Sequence, residues 1–280
     1  MKTIKTEEIT EVVEKLCIDS NYYLNSDIEG ALKNAVEDER SELGKSILEQ
    51  LVENARIAKN ERMAICQDTG MAVVFVDIGQ EVYIAGGSLA GAINEGVRRS
   101  YKNGFLRKSV VGDPLTRVNT GDNTPAIIHY NIVDGDNLKL TVAPKGFGSE
   151  NMSALKMLKP SDGIEGVKKF ILDTVDSAGP NPCPPVIVGV GIGGTMEKAS
   201  LLAKKALLRP IDLRSGTEHI RKLEEEMLEK INKSGIGPAG LGGSTTALAV
   251  NIEVFATHIA GLPVAVNLSC HATRHMEVRI

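Results

Sequence analysis

The hydrophobic spacing changes period partway along the chain, and this limits the fold more than any other feature. Over residues 7–16, Ile9, Val12, Val13 and Leu16 fall on one helical face. Residues 28–36 and 42–60 keep a helical pattern, the second with Ile47, Leu48, Leu51, Val52, Ala55 and Ile57. From residue 72 the apolar runs become short and β-branched: 72–79 reads as a buried strand, followed by a helix over 88–103. Strands are predicted at 126–133 and 137–142, joined by Asp134-Gly135-Asp136, a turn suited to a hairpin. Helices are predicted over 163–177, 196–208 and 218–233, the last charged and solvent-facing, and strands over 184–191, 251–256 and 262–268. Helices lead, then strands and helices mix. The expected fold class is α/β: mixed β-sheets surrounded by helices, with a helical N-terminal region. No repeat period or low-complexity linker interrupts residues 1–280, so a single domain is expected, with room in it for two sheet-centred lobes.

Charge removes several function classes. The formal net charge is −4, so no basic field exists to hold nucleic acid or an anionic membrane. With no Trp and 4% aromatic residues, base-stacking platforms are not expected either. The longest apolar stretches, 185–192 and 262–268, are too short to span a bilayer. The first residues lack the apolar core of a signal peptide, and a cytoplasmic location is expected. There the four cysteines stay reduced, and no CxxC pair gives a zinc-ribbon spacing.

Three of those four cysteines share a setting. Cys66 lies in Ala64-Ile65-Cys66-Gln67-Asp68-Thr69-Gly70, Cys183 in Gly179-Pro180-Asn181-Pro182-Cys183-Pro184-Pro185, and Cys270 in Asn267-Leu268-Ser269-Cys270-His271-Ala272-Thr273-Arg274. Each stands at the end of an apolar segment or beside glycine and proline. Proline removes backbone donors and fixes φ, so the run around Cys183 cannot sit inside regular structure and holds its thiol stiffly in a loop. Three loop thiolates distant in sequence suit a [4Fe–4S] cluster that keeps one iron open as a Lewis acid, whereas electron-transfer clusters usually have four cysteines. Three unrelated cysteines, two of them buried, fit the spacing equally well. Cys17 adjoins an apolar helical face and reads as a small buried residue.

Five motifs carry a resemblance: Cys66-Gln67-Asp68-Thr69-Gly70, Lys145-Gly146-Phe147-Gly148-Ser149-Glu150-Asn151, Asn181-Pro182-Cys183-Pro184-Pro185, Gly193-Gly194-Thr195-Met196-Glu197-Lys198 and Ser269-Cys270-His271-Ala272-Thr273-Arg274-His275. In them the chain resembles the class I fumarate hydratase / L-tartrate dehydratase family over essentially its whole length, in the form of the alpha subunit. The resemblance implies Cys66, Cys183 and Cys270 as ligands of a [4Fe–4S] cluster, Gln67 and Asp68 as substrate-contacting, and Asp68 as acid–base at the reacting oxygen. A loop aspartate capping the Thr69-Gly70 turn is the plain alternative. It also implies Arg107 as a carboxylate-binding guanidinium and raises His258, otherwise an ordinary structural histidine, to an active-site residue. Gly146, Gly148 and Ser149 are candidates for backbone contact with the anionic substrate. His271 and His275 are expected to shape the surroundings of the cluster rather than ligate it.

The activity expected is reversible hydration of a small dicarboxylic acid, fumarate to L-malate, with L-tartrate dehydration as the nearest alternative. A separate beta subunit is implied, as an αβ pair that is expected to double, because single-chain relatives continue into a further domain. Two readings from other classes compete. One is a non-catalytic, metal-stabilised scaffold that binds a partner. The other is a nicotinamide dehydrogenase, suggested by Gly189-Val190-Gly191-Ile192-Gly193-Gly194. Against the dehydrogenase, the match sits late and lacks a second strand ending in an acidic residue. The loop instead reads as a strand-to-helix turn near Cys183, whose helix N-terminus favours an anion. The glycine-rich run from Gly240 is expected to pack in a similar way.

Overall fold

The computed structural model describes residues 2–280. Its elements are β1 (Lys2–Lys5), α1 (Thr6–Tyr22), α2 (Ser26–Asp38), α3 (Glu42–Glu61), β2 (Met71–Gly79), β3 (Val82–Ala85), α4 (Leu89–Asn103), β4 (Ile127–Val133), β5 (Leu138–Lys145) and α5 (Phe147–Glu150). They continue as β6 (Ala154–Leu158), α6 (Gly163–Ala178), β7 (Val186–Gly193), α7 (Met196–Ala206), α8 (Glu218–Asn232), β8 (Ala247–Phe255), β9 (Leu262–Ser269) and β10 (Met276–Arg279). The protein is α/β with mixed sheets and a helical N-terminal region. No helix among the described residues is long and apolar enough to cross a membrane. The chain forms two compact units. The first comprises residues 1–24, 55–147 and 274–280, and the second 25–54 and 148–273.

In the first unit a four-stranded sheet has the order β10-β5-β2-β4. The predicted hairpin between 126–133 and 137–142 does not form. β2 lies between the two strands, parallel to β4 and antiparallel to β5. The reason is burial. β2 offers five consecutive buried residues, Ala72–Val76, while β4 is largely exposed. A strand apolar on both faces takes the centre and leaves the amphipathic one at the edge. The Asp134–Asp136 turn instead closes on the end of β2, with Gly79 N donating to Asn137 O and Glu81 N to Gly135 O. α1 and α4 cover the sheet through Ile9, Val13, Cys17, Ile93, Val97 and Tyr101. Ser88 caps α4 by accepting from Gly91 N. β1 and β3, absent from the sequence reading, form a short parallel ladder.

The second unit holds a sheet of order β6-β9-β7-β8. α6 and α8 pack on one side of its core with Val167, Ile171, Ile220, Leu223, Met227 and Ile231. The solvent-facing helix predicted over 218–233 is therefore half-buried. Its charges occupy the outer face, and Glu224, fully buried, pairs with Arg209 and accepts from Ile252 N. α7 lies against β7 at very short range. A Cβ at Gly191 would stand 2.0 Å from Ala199 O, and one at Gly189 2.3 Å from Ala203 O. Two of the glycines in the dinucleotide-like match thus sit inside the strand and admit a helix backbone. The Gly193-Gly194 turn itself lies at the end of β7 opposite to Cys183, which precedes the strand, so the expectation that it neighbours Cys183 is overturned.

The run Gly242-Gly243-Ser244-Thr245 wraps the carboxylate of Glu39. Oε1 accepts from Arg40 N, Ser41 N and Ser244 N at 2.8, 2.9 and 2.8 Å, and Oε2 from Thr245 N at 2.8 Å. Burial by itself pushes the Glu39 pKa up, but the hydrogen bonds from Ser244, Ser41 and Thr245 outweigh it and bring it down to about 2 from 4.5. A carboxylate whose folded pKa is depressed stabilises fully above its unfolded value. That contribution, on the order of 2 kcal/mol here, is lost as pH falls. Urea denaturation between pH 4.5 and 2 is therefore expected to show an acid loss of stability that Glu39→Gln flattens.

Candidate active site

The predicted residues gather into two groups, one in each unit. In the first unit the segment Cys66–Gly70 follows α3 and enters β2. Three consecutive carbonyls of this segment are held from within. Arg274 Nη2 donates to Asp68 O at 2.8 Å. The Tyr101 hydroxyl lies 2.7 Å from Thr69 O and 2.9 Å from Gly70 O, and Asn123 Nδ2 donates to Gly70 O at 3.1 Å. These three side chains are 5%, 1% and 0% exposed, so the bonds are shielded from water. Burial, then the neighbouring Cys17, raises the Tyr101 pKa, which keeps its hydroxyl a donor. Gly70 takes φ +72, and a Cβ there would meet Lys145 C at 2.7 Å, so the turn needs glycine.

With its carbonyls held inside, the segment leaves Gln67 exposed and Cys66 and Asp68 half-buried. Asp68 caps the turn, as its plain alternative reading held: Oδ1 accepts from Gly70 N at 3.0 Å. Oδ2 accepts from Phe147 N at 2.8 Å and would lie 3.1 Å from a Cβ on Gly146. Arg107 is exposed, and its carbonyl accepts from Thr69 Oγ1 at 2.9 Å. Asp68 therefore adjoins Gly146, and the Arg107 backbone is bonded to the same cysteine loop.

The second unit brings together Gly148, Ser149, Cys183 and Cys270. A Cβ on Gly148 would lie 3.7 Å from Asn181 O, in the proline loop of Cys183. That loop carries Cys183 at φ +55, an uncommon conformation for a residue with a side chain. His271 Nδ1 is 3.0 Å from Cys183 O, which ties the residue after Cys270 to the second cysteine. Glu150 fixes the approach of Ser149. Its carboxylate pairs with Lys204 at 2.5 Å and accepts from Asn267 Nδ2 at 2.8 Å, on β9, the strand that ends just before Cys270. Two motifs run from one unit into the other along the chain, Lys145–Asn151 and Ser269–His275.

His258 stands apart. It lies in the exposed connection between β8 and β9, where its Nδ1 accepts from Ala260 N at 3.2 Å. Phe255 pairs with Gly193 at one end of β7, while Ser269, next to Cys270, pairs with Ile187 at the other. Those ends are separated by roughly 20 Å of strand. A cavity of about 870 Å³ beside Glu39, Arg40, Arg214 and Lys233 contains none of the predicted site residues.

The sequence reading missed Tyr101 and Asn123 and gave Arg274, Glu150 and Thr69 no role. All act through backbone or neighbouring side chains, and only the membership of Arg274, Glu150 and Thr69 in the quoted motifs signalled them. Among the described residues, no three His, Cys, Asp or Glu side chains converge on a single metal ion. The donor chemistry, cysteine thiols at loop positions, is nonetheless of the kind that a sulfur-ligated cluster takes. Cys183 is exposed and Cys66 and Cys270 are half-buried, all at loop positions. Cys17 is buried at 0% exposure, which pushes its pKa to about 12, so it remains a protonated thiol. Alkylation of the native chain is expected to modify Cys183 first and Cys17 only after denaturant is added, read by peptide mass spectrometry.

The family model described as fumarate hydratase (fumerase) matches residues 10–279. A Methanocaldococcus jannaschii protein named "Putative L(+)-tartrate dehydratase subunit alpha" is 46% identical over 279 residues, covering 98% of each chain. An L(+)-tartrate dehydratase subunit alpha from Escherichia coli is 34% identical over 277 residues, 98% of this chain and 91% of the relative. One from Shigella sonnei is 34% identical over 271 residues, 95% of this chain and 89% of the relative. Agreement of this extent makes the chain a hydro-lyase alpha subunit of the class I, iron–sulfur fumarate hydratase / L-tartrate dehydratase family.

Proposed function

We propose that the chain is the alpha subunit of an L(+)-tartrate dehydratase, assembled with a separate beta subunit. The observation that carries this reading is the 46% identity, over 98% of both chains, to a relative of that name. It moves the weight from fumarate, the first expectation of the sequence, to tartrate. Hydration of fumarate to L-malate stays as the second reading because the family model bears the fumarate hydratase description. The two differ by one hydroxyl on a four-carbon dicarboxylate.

Cys66, Cys183 and Cys270 are proposed to hold a [4Fe–4S] cluster. When bound, it would supply a Lewis acid at an iron with no cysteine. Arg107 would grip a substrate carboxylate, with the backbone at Gly146, Gly148 and Ser149 and the Gln67 side chain completing the orientation. Asp68 would exchange the proton of the departing or entering water, since each of its oxygens accepts one backbone N–H and keeps a second acceptor position. His258 enters the proposal separately, given its place at the far end of β7. A His258→Gln variant with wild-type turnover would remove it.

The test is the anaerobically reconstituted αβ pair assayed on L-tartrate, fumarate and L-malate. Highest kcat/KM on L-tartrate is expected, by about tenfold or more for a site that hydrogen-bonds the extra hydroxyl. Higher kcat/KM on fumarate reverses the assignment. Iron and sulfide content should fall on Cys66→Ser, Cys183→Ser and Cys270→Ser and be untouched by Cys17→Ser. Equal content in all four variants rejects the cluster.

A further inference from the structure

We propose that Asn123 and Thr69 are positioning residues that lock the Arg107 segment to the Cys66 loop. The carboxylate-binding arginine and the first cysteine would thereby keep one register. The inference rests on the roles given above to Cys66 and Arg107. Its geometry lies within the first unit.

Arg107 is exposed, and a guanidinium at the end of a long, mobile stem is only as well placed as its backbone. That backbone is pinned on both sides. Upstream, Leu106 is buried, and the Arg107 carbonyl accepts from Thr69 Oγ1 at 2.9 Å. Downstream, Asn123 Oδ1 accepts from Ser109 N at 2.7 Å and from Val110 N at 3.2 Å. The same amide turns its other end to the cysteine loop, where Nδ2 donates to Gly70 O at 3.1 Å. Thr69 is 2% exposed and Asn123 0%. Two buried side chains thus cross-link the two segments, one reaching out from the cysteine loop and the other bridging both.

Asn123 sits at φ +64, a conformation that asparagine tolerates better than most residues with a side chain. An amide is also the group that can accept from two N–H donors and donate to a carbonyl at once. Aspartate would lose the donor, and serine would be too short to span both segments. Placement of this kind matters because a shift of about 1 Å in a substrate-gripping group can cost a hundredfold in rate.

Two variants separate the two links. Thr69→Val keeps the shape and removes only the bond to Arg107. In the assembled holoenzyme it should raise KM for the dicarboxylate about fivefold, with kcat, iron content and cluster lifetime in air unchanged. Asn123→Gly suits the positive φ and removes all three bonds. It should raise KM and also shorten cluster lifetime about tenfold, followed by the visible absorbance of the cluster. A folded Asn123→Gly protein with wild-type KM and lifetime overturns the proposal.

Should Asn123→Gly fail to fold, hydrogen exchange on the wild-type chain decides. Cluster loading should slow exchange at the Ser109 and Val110 amides about tenfold, through Asn123. Unchanged exchange at both overturns the coupling. If the wild-type chain itself takes up no iron and sulfide, the cluster assignment fails instead.

Discussion

The three successive carbonyls of Asp68, Thr69 and Gly70 are the point on which the first unit turns. Arg274, Tyr101 and Asn123 reach them from a C-terminal segment, a helix and a loop that are far apart in sequence. A carbonyl buried without a partner costs on the order of 1–3 kcal/mol, so fixing three together leaves the segment little freedom to turn over. The consequence is directional. With its acceptors committed to the interior, the segment leaves the Gln67 side chain to solvent and Cys66 and Asp68 partly open. Gly70 completes the arrangement, since its positive φ admits the close approach to Lys145.

The second unit reaches a similar result by other means. Prolines on either side hold Cys183, and its carbonyl meets the ring of His271, one residue beyond Cys270. The Glu150 carboxylate then ties the Gly148-Ser149 turn to Asn267 and Lys204. Burial separates these residues from Cys17. A thiol sealed in a helix packing layer keeps its proton and meets no ligand, whereas Cys183 is exposed and Cys66 and Cys270 are half-buried. The difference between ligand candidates and packing cysteine is thus one of solvent and backbone, with the same side chain in both.

Much of this was legible in the sequence because it follows from local rules. The helices at 42–60 and 88–103 and the strands at 72–79 and 262–268 were marked by period and β-branching, and the motif loops by glycine and proline. What was missed depends on partners distant along the chain. β1, β3, β6 and β10 are four or five residues long and gain their order from a neighbouring strand. The hairpin predicted across Asp134–Asp136 failed because a turn signal says nothing of a third strand with a better claim to the centre. The Gly189-to-Gly194 run is the strand-to-helix turn that was expected, but its place relative to Cys183 was not legible, for a related reason. Glycine admits close approach, and only the fold reveals that a helix backbone, not a phosphate, is the visitor. Tyr101 and Asn123 belong to the same class, for nothing in their own surroundings announces the carbonyls they hold.

Asp68 shows how a structural and a chemical reading can share one side chain. Its Oδ1 accepts from Gly70 N and its Oδ2 from Phe147 N, so the carboxylate joins the cysteine loop to the segment that leaves β5. Such bonds would conflict with acid–base work only if they consumed every lone pair. A carboxylate offers about four acceptor positions, and two are used. The remaining positions can face a reacting oxygen while the backbone bonds fix the plane of the group. Rigid placement is what proton transfer needs, since transfer depends on distance before it depends on acidity. The capping role therefore supplies the orientation that the proposed acid–base role would require.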